Sequence, residues 1–179
     1  MFFTLRNFKL HLNQMNDLGL DVATFAITMA NALAVLHWEV KIDAADVEFV
    51  LGSAPTEGHV RAPPYAELMK MKPDSSTYII RGGMTFHQRV VHLWLLDFNM
   101  CKEIEMNDGG VAAAVEAFAL NDRYYPRPSV DENLWNIFCK QYEKTGERIF
   151  AKTQFRDLPK KFTKDVVVEM QKRALVGIN

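Results

Sequence analysis

The sequence predicts one mainly helical α+β domain, residues 1–179, with a small β-hairpin sheet. Four stretches carry apolar residues at steps of three and four, which is typical of helices packed on one face. Two short runs, 47–51 and 90–96, are rich in β-branched and aromatic residues, which is typical of strands. With 179 residues, 49% of them hydrophobic, the chain can form a single hydrophobic core.

The first strong helical pattern follows Asp21, whose side chain can cap a helix. The apolar stripe behind it consists of Val22, Phe25, Met29, Leu33 and Leu36. Small alanines lie between these residues and allow close packing, so we expect this helix at the centre of the domain. A strand over 47–51 follows and is expected to stop at residues 52–53.

Residues 54–89 are predicted to form a long, loop-rich insertion. Four prolines fall in this segment and no periodicity is sustained along it; they are Pro55, Pro63, Pro64 and Pro73. Strands are predicted over 78–80 and 90–96, and a turn around 81–83 would join them as a hairpin.

The C-terminal part of the chain is predicted to be helical. One helix follows residues 107–110 and reaches Leu120, a second is capped by Asp131, and a third is predicted over 163–175. Prolines at 126 and 128 require a turn across 121–128. The residues expected to face inward are Val111, Val115, Phe118, Leu134, Phe138, Tyr142, Ile149, Val166, Val167 and Met170.

The composition favours a cytoplasmic protein with neither a nucleic-acid nor a membrane partner. The net charge of -1 gives no overall attraction to nucleic acid or to an anionic membrane. We expect no apolar run near the roughly 20 residues that span a bilayer, and charge comes too early for a secretory signal. Cys101 and Cys139 lie far apart without metal-ligand spacing, so we expect reduced thiols and no cofactor.

Acidic residues stand at the edges of the two strand-like runs. Asp43 precedes the run 47–51, and Asp97 follows the run 90–96. With a helix before the first run and helices after the second, this order resembles the carboxyl-terminal lobe of protein kinases and aminoglycoside phosphotransferases. In those enzymes one Asp lies in the catalytic loop and a later Asp serves the metal-bound phosphates. The resemblance implies a kinase-like lobe in which Asp43 and Asp97 face one cleft as candidate acid and base.

The chain departs from the kinase pattern at the positions that handle phosphate charge. In kinase order, the substitutions are Lys41 and Ile42 for His-Arg, Ala45 for the loop Lys, Glu48 for the loop Asn, and Asn99 for the Gly of Asp-Phe-Gly. Glu48 and Asn99 thereby become candidate ligand-binding residues. Too few residues precede the first helix for the strands of an amino-terminal lobe. Because cationic contacts are worth several powers of ten in phosphoryl-transfer rate, we expect no phosphotransferase activity.

Two functions are compatible with this pattern. In the first, the chain is a kinase-like pseudoenzyme that acts as a binding or scaffolding module. In the second, it is a small-molecule enzyme of fungal specialised metabolism, with Asp43 and Asp97 as acid and base for a cyclisation, isomerisation or hydrolysis. His37 and Trp38, just before the catalytic loop, are candidate ligand contacts in either case. The incomplete set of charged residues favours the first function.

Three further runs, 31–39, 46–52 and 121–128, carry a closer resemblance. They are similar to a fungal family of unknown function whose members are often labelled zinc-finger proteins, and the similarity extends over nearly the whole chain. The zinc label has no support in the sequence, because no Cys pair has finger spacing. His87 and His92 are five residues apart and would lie on opposite faces of a strand.

Without an amino-terminal lobe, the apolar face that such a lobe covers needs another partner. Apolar residues at the start of the chain would add to this face; they are Phe2, Phe3, Leu5, Phe8 and Leu10. Monomeric proteins rarely expose apolar patches beyond a few hundred Å². We therefore expect a homodimer with an interface of at least roughly 1,000 Å², besides any small-molecule ligand of the cleft.

Overall fold

The computed structural model describes residues 10–53, 66, 69–70, 91–121 and 125–177. Its helices are α1 (Leu12–Asp17), α2 (Val22–Val35), α3 (Asp108–Leu120), α4 (Glu132–Ile149) and α5 (Leu158–Leu175), with a π-helical turn at Leu36–Val40 and strands β1 (Glu48–Ser53) and β2 (Val91–Leu96). The two strands pair as a small antiparallel sheet. The predicted mainly helical α+β class is thus confirmed, while the kinase-like lobe stays a prediction.

Helix α2 begins at the residue that the sequence predicts. The Asp21 side chain accepts a hydrogen bond from the backbone N–H of Thr24 at 3.1 Å, which satisfies one of the free donors of the first turn. The helix does not stop at residue 37, because a π-helical turn continues it to Val40. A π turn holds more residues than an α-helical turn, so the consecutive side chains of residues 36–38 can all be buried.

The segment Val22–Val40 is long and apolar enough to span a bilayer by length and composition alone. The expectation that no apolar run approaches this length is therefore wrong. However, 44% of the apolar stretch within this segment is buried inside the fold, and core helices of soluble proteins can be equally long and apolar. Helix α2 packs most extensively against α4, which covers much of its apolar surface.

Helix α4 confirms its predicted cap, whereas helix α3 begins at Asp108, within the segment 107–110 that was expected to precede it. The side chain of Asn107 accepts from the N–H of Gly110, and that of Asp131 accepts from the N–H of Leu134. Helix α5 begins at Leu158, five residues before the predicted start, because Pro159 is accommodated in the first turn, where no N–H is required. The short helix α1 is not predicted by the sequence.

The helical core is filled by aromatic rings from α3, α4 and α5. The rings of Phe138 and Tyr142 on α4 stack at 5.9 Å, and Tyr142 stacks on Phe162 of α5 at 4.7 Å. Phe118 of α3 lies edge-on to Phe162 at 5.8 Å. Large buried rings of this kind contribute much of the hydrophobic stabilisation of a domain of this size.

The chain divides into two compact units, one of Met1–Phe49 with Leu95–Asn179 and one of Val50–Trp94. In the second unit β1 runs through Gly52 rather than ending there, and the Trp94 ring lies where a side chain at Gly52 would be. The predicted strand 78–80, the turn around 81–83 and nearly all of the insertion 54–89 lie outside the described residues. The expectation of a single domain over 1–179 stays a prediction.

Candidate functional site

The loop that contains Asp43 pairs with the segment before α3. The N–H of Asp43 donates to the carbonyl of Lys102 at 2.9 Å, and the N–H of Ile104 donates to the carbonyl of Lys41 at 2.9 Å. An isolated antiparallel bridge lies between these two bonds. The loop is therefore fixed by backbone pairing as well as by its own side chains.

The Asp43 carboxylate takes part in the same pairing. Its Oδ1 accepts from the N–H of Lys102 at 2.9 Å and from the N–H of Ala45 at 3.1 Å. The residue is only 7% exposed. Asp43 thus braces two loop segments, and its Oδ1 is engaged by two backbone amides.

Asn121, which the sequence did not single out, clamps the same loop from the end of α3. Its Oδ1 accepts from the N–H of Asp46 at 2.7 Å, and its Nδ2 donates to the carbonyl of Ala44 at 2.9 Å. Its own carbonyl accepts from the buried guanidinium of Arg127 at 2.7 Å, which also lies 5.1 Å from the centre of the Phe118 ring. An Asn in a proline-rich turn is common, so no local signal marked it.

Among the residues that the structure describes, four other than glycine have a positive φ, and all of them belong to the Asp43 loop or to the Asp97 position of the candidate site. They are Lys41 (64°), Ala44 (55°), Asp46 (62°) and Asp97 (63°). Each such conformation costs on the order of 1–3 kcal/mol and persists only where the surroundings enforce it. The Asn121 clamp and the Asp43 brace supply that enforcement for the first three. Backbone strain of this kind concentrates at functional sites, which supports a role for this region.

Three carboxylates surround the Cys101 thiol. Burial raises the pKa of Cys101, and the negative charges of Asp43, Asp46 and Asp97 raise it further. The thiol donates a weak hydrogen bond to the Ala45 carbonyl at 3.6 Å. Because a nucleophilic cysteine needs a lowered pKa, Cys101 is not an activated nucleophile.

Asp97, Asn99 and Glu48 are exposed side chains in the first compact unit. Asp97 follows β2 directly, and Glu48 is the first residue of β1. Within the described ranges, neither Asp43 nor Asp97 forms an ion pair with Lys, Arg or His. That the two aspartates face one cleft stays a prediction.

His37 and Trp38 lie in the aromatic core, each 1% exposed. His37 Nδ1 is 2.6 Å from the hydroxyl of Tyr142, and the His37 ring contacts the Phe162 ring edge-on at 5.0 Å. Burial lowers the pKa of His37 to about 3, which outweighs the opposing effect of the Asp43 backbone, so the imidazole is neutral at physiological pH. Neither side chain reaches solvent in this conformation.

Neither a metal-binding cluster nor a cavity was found at Asp43 and Asp97 in the described part of the chain. In the part of the chain that the structure describes, no group of three or more His, Cys, Asp or Glu residues could hold a metal ion. A surface cavity of about 680 Å³ opens at the start of α3; Glu103, Glu105 and Asp108 are among its lining residues, whereas Asp43 and Asp97 are not.

Together these features define a mainly helical α+β domain with a strained acidic loop braced from α3. A family model described as zinc finger protein matches residues 93–154 of this chain, which is about a third of its length. The matched part begins within β2 and includes α3 and α4. Neither a curated protein nor a solved structure matches the chain.

Proposed function

We propose that this chain is a cytoplasmic, non-catalytic binding module built as a kinase-like lobe. The observation that carries the proposal is the Asp43 carboxylate, which is nearly buried and accepts from two backbone amides. A catalytic-loop Asp has to reach the hydroxyl of its substrate. An Asp that is engaged in this way holds the loop together instead, which fits a domain that has kept a kinase-like loop without its chemistry.

The kinase-like architecture is supported by the order of the elements. A central helix, the Asp43 loop, two strands, Asp97 and three helices follow one another along the chain. The positive φ values in the loop and at Asp97 mark the same two places that the kinase comparison marks. The alanine at position 45 and the absence of an ion pair at either aspartate among the described residues support the loss of phosphoryl transfer.

The binding surface that we propose is the apolar segment 96–100. Leu96, Phe98 and Met100 are 48%, 46% and 55% exposed, so three large apolar side chains meet solvent within five residues. Apolar side chains concentrated in this way mark interaction sites. We propose that a second copy of this chain covers the segment, which makes the protein a homodimer.

The loss of nucleotide chemistry is tested by thermal unfolding with ATP and Mg²⁺. A ligand that binds only the native state adds about 2.7 kcal/mol at 100 times its Kd, which raises the Tm of a domain of this size by roughly 5 °C or more. We expect a shift below about 1 °C and no ATP hydrolysis. A shift of several degrees, abolished by Asp97→Asn, would contradict the proposal.

The dimer is tested by light scattering at micromolar concentration. We expect a mass twice that of the chain, and a monomer when Leu96, Phe98 and Met100 are all replaced by Gln. The matched control replaces three other exposed apolar residues, Leu120, Val130 and Val168, by Gln and should stay dimeric. A monomeric wild-type protein, or equal dissociation of both variants, would show that the segment is not the interface.

The strained loop favours one second candidate, a small-molecule enzyme of specialised metabolism that uses Asp43 and Asp97 as acid and base. Strain at both aspartate sites is the specific observation, since backbone strain concentrates at active sites. Under this alternative, Asp97→Asn abolishes turnover of the ligand while the Tm stays unchanged. If the chain is a binding module, the same variant changes neither the dimer mass in light scattering nor the Tm.

A further inference from the structure

Basic residues recur at every fourth position from the second half of α4 to the first half of α5. They are Lys140, Lys144, Arg148, Lys152, Arg156, Lys160 and Lys164, and each of them is exposed. None forms an ion pair within the described part of the chain. Like charges four residues apart on a helix are destabilising, so stability of the two helices does not account for this spacing.

The tertiary packing brings four of these lysines onto one surface. Helices α4 and α5 run antiparallel, because Tyr142 stacks on Phe162, the Thr163 hydroxyl donates to Glu143, and the Pro159 ring lies over Gly146. In this register Lys144 lies level with Lys160, and Lys140 lies level with Lys164. On both helices these lysines point away from the core, on the same side of the helix pair. We call these four residues the lysine face.

The charge of this region differs sharply from that of the whole protein. Residues 136–164 contain eight Lys and Arg residues and three Asp and Glu residues, a net charge of +5. The complete chain carries -1, so the remaining residues carry -6. A net charge near zero is therefore compatible with a positive face among the described residues, and a local positive face can attract polyanions.

The composition of the face restricts its partner. Apart from Ala151, every exposed residue between 136 and 164 is polar or charged. Surfaces that bind folded proteins carry aromatic and apolar anchors and contain few lysines. Surfaces that bind single-stranded nucleic acid carry aromatic rings on which the bases stack. Insertion into a membrane interface likewise requires apolar side chains. Binding to phosphates through charge alone requires none of these.

We propose that the lysine face binds the phosphate backbone of double-stranded DNA without reading its sequence. Successive lysines in each row are about 6 Å apart along the helix, and the rows lie on helices whose axes are about 8–10 Å apart. The grooves of B-DNA are about 6 and 12 Å wide. Two parallel rows of cations on neighbouring helices can contact the two strands that border a groove, whereas a lipid surface imposes no such arrangement. The proposal is independent of the proposed dimer and of the Asp43 loop.

Fluorescence anisotropy with a labelled DNA duplex of mixed sequence, over about 50 to 200 mM salt, tests the proposal. Four phosphate contacts give a slope of log K against log salt of about -3.6, which is a loss of roughly 10²-fold across this range. Replacing Lys140, Lys144, Lys160 and Lys164 by Gln should make the slope shallower by about 3 to 4 and weaken binding at least tenfold at the low salt.

The control variant replaces four exposed lysines outside the face, Lys41, Lys70, Lys102 and Lys172, by Gln. It removes the same charge and should bind the duplex within about twofold of the wild type if the face is responsible. Equal weakening by both variants would show that only total charge matters. No duplex binding at the low salt, or binding only to vesicles that contain anionic phospholipid, would also overturn the proposal. Circular dichroism verifies that both variants are folded.

Discussion

Replacing the buried His37 should remove most of the acid sensitivity of this fold between pH 7.5 and 5. The imidazole lies among the rings of Trp38, Tyr142 and Phe162, and Nδ1 is 2.6 Å from the Tyr142 hydroxyl. Its Nε2 is buried without a hydrogen-bond partner in the described part of the chain. A second proton on this ring would have almost no solvation, and this loss outweighs the opposing effect of the Asp43 backbone, which is why the pKa is lowered to about 3.

The magnitude follows from the two pKa values. In the unfolded chain His37 has its ordinary pKa of 6.5, so between pH 6.5 and about 3 the unfolded state binds one more proton than the folded state. Stability from the neutral imidazole is therefore complete above pH 6.5 and is lost as the pH falls towards 3. Each pH unit below 6.5 is worth about 1.4 kcal/mol. His37 should therefore lower the free energy of unfolding by about 2 kcal/mol at pH 5 and by on the order of 5 kcal/mol at pH 3.

Urea unfolding at pH 7.5 and pH 5 measures this effect. For the wild type we expect the free energy of unfolding to fall by about 2 kcal/mol on acidification, and for His37→Gln by less than about 0.5 kcal/mol. His37→Gln keeps a hydrogen-bonding group for Tyr142 but cannot titrate. The exposed His11, replaced by Gln, is the control and should leave the wild-type pH dependence intact. An equal loss in wild type and His37→Gln would refute the assigned pKa.

Three further substitutions probe the braced loop and its connection to α3. Asn121→Ala removes both clamp hydrogen bonds and leaves the Ala44 carbonyl buried without this donor, so we expect a loss of about 2–4 kcal/mol in urea unfolding; less than about 1 would argue against the clamp. Asp43→Ala should lower the Tm clearly, whereas Asp43→Asn, which keeps Oδ1 as an acceptor, should lower it much less. Gly110→Ala would force Cβ into the Glu105 carbonyl oxygen and should destabilise the fold by at least roughly 2 kcal/mol. The control Gly109→Ala should be tolerated better, because its Cβ would meet only the side chain of Asn107, at 3.1 Å.

The local elements of this fold could be predicted because their signals are local. Asp21 and Asp131 each cap the helix that the sequence assigns to them, since the acceptor and the free N–H lie within three residues of each other. The strand β2 was predicted from its β-branched and aromatic residues. The start of α5 was placed five residues too late; the helix accommodates Pro159 in its first turn, where no N–H is required.

The candidate site was predictable only in part. Asp43 and Asp97 were singled out from their positions at strand edges, and both lie where the backbone is strained or braced. The brace itself joins Asp43 to a segment 59 residues away, and the clamp joins Ala44 to Asn121, 77 residues away. No pattern of spacing encodes such pairs, because they exist only once the helices have packed.

The sequence by itself thus determined the helix caps, the apolar stripes and the mainly helical class, all of which depend on residues within one or two turns. Tertiary structure alone decided the surroundings of His37. The residues next to a histidine in the sequence do not tell whether its ring is buried and neutral or exposed. It also decided where the charge lies. The net charge of -1 is a sum over the chain, whereas the lysine face arises because antiparallel packing of α4 and α5 turns residues 16 and 24 positions apart towards the same solvent.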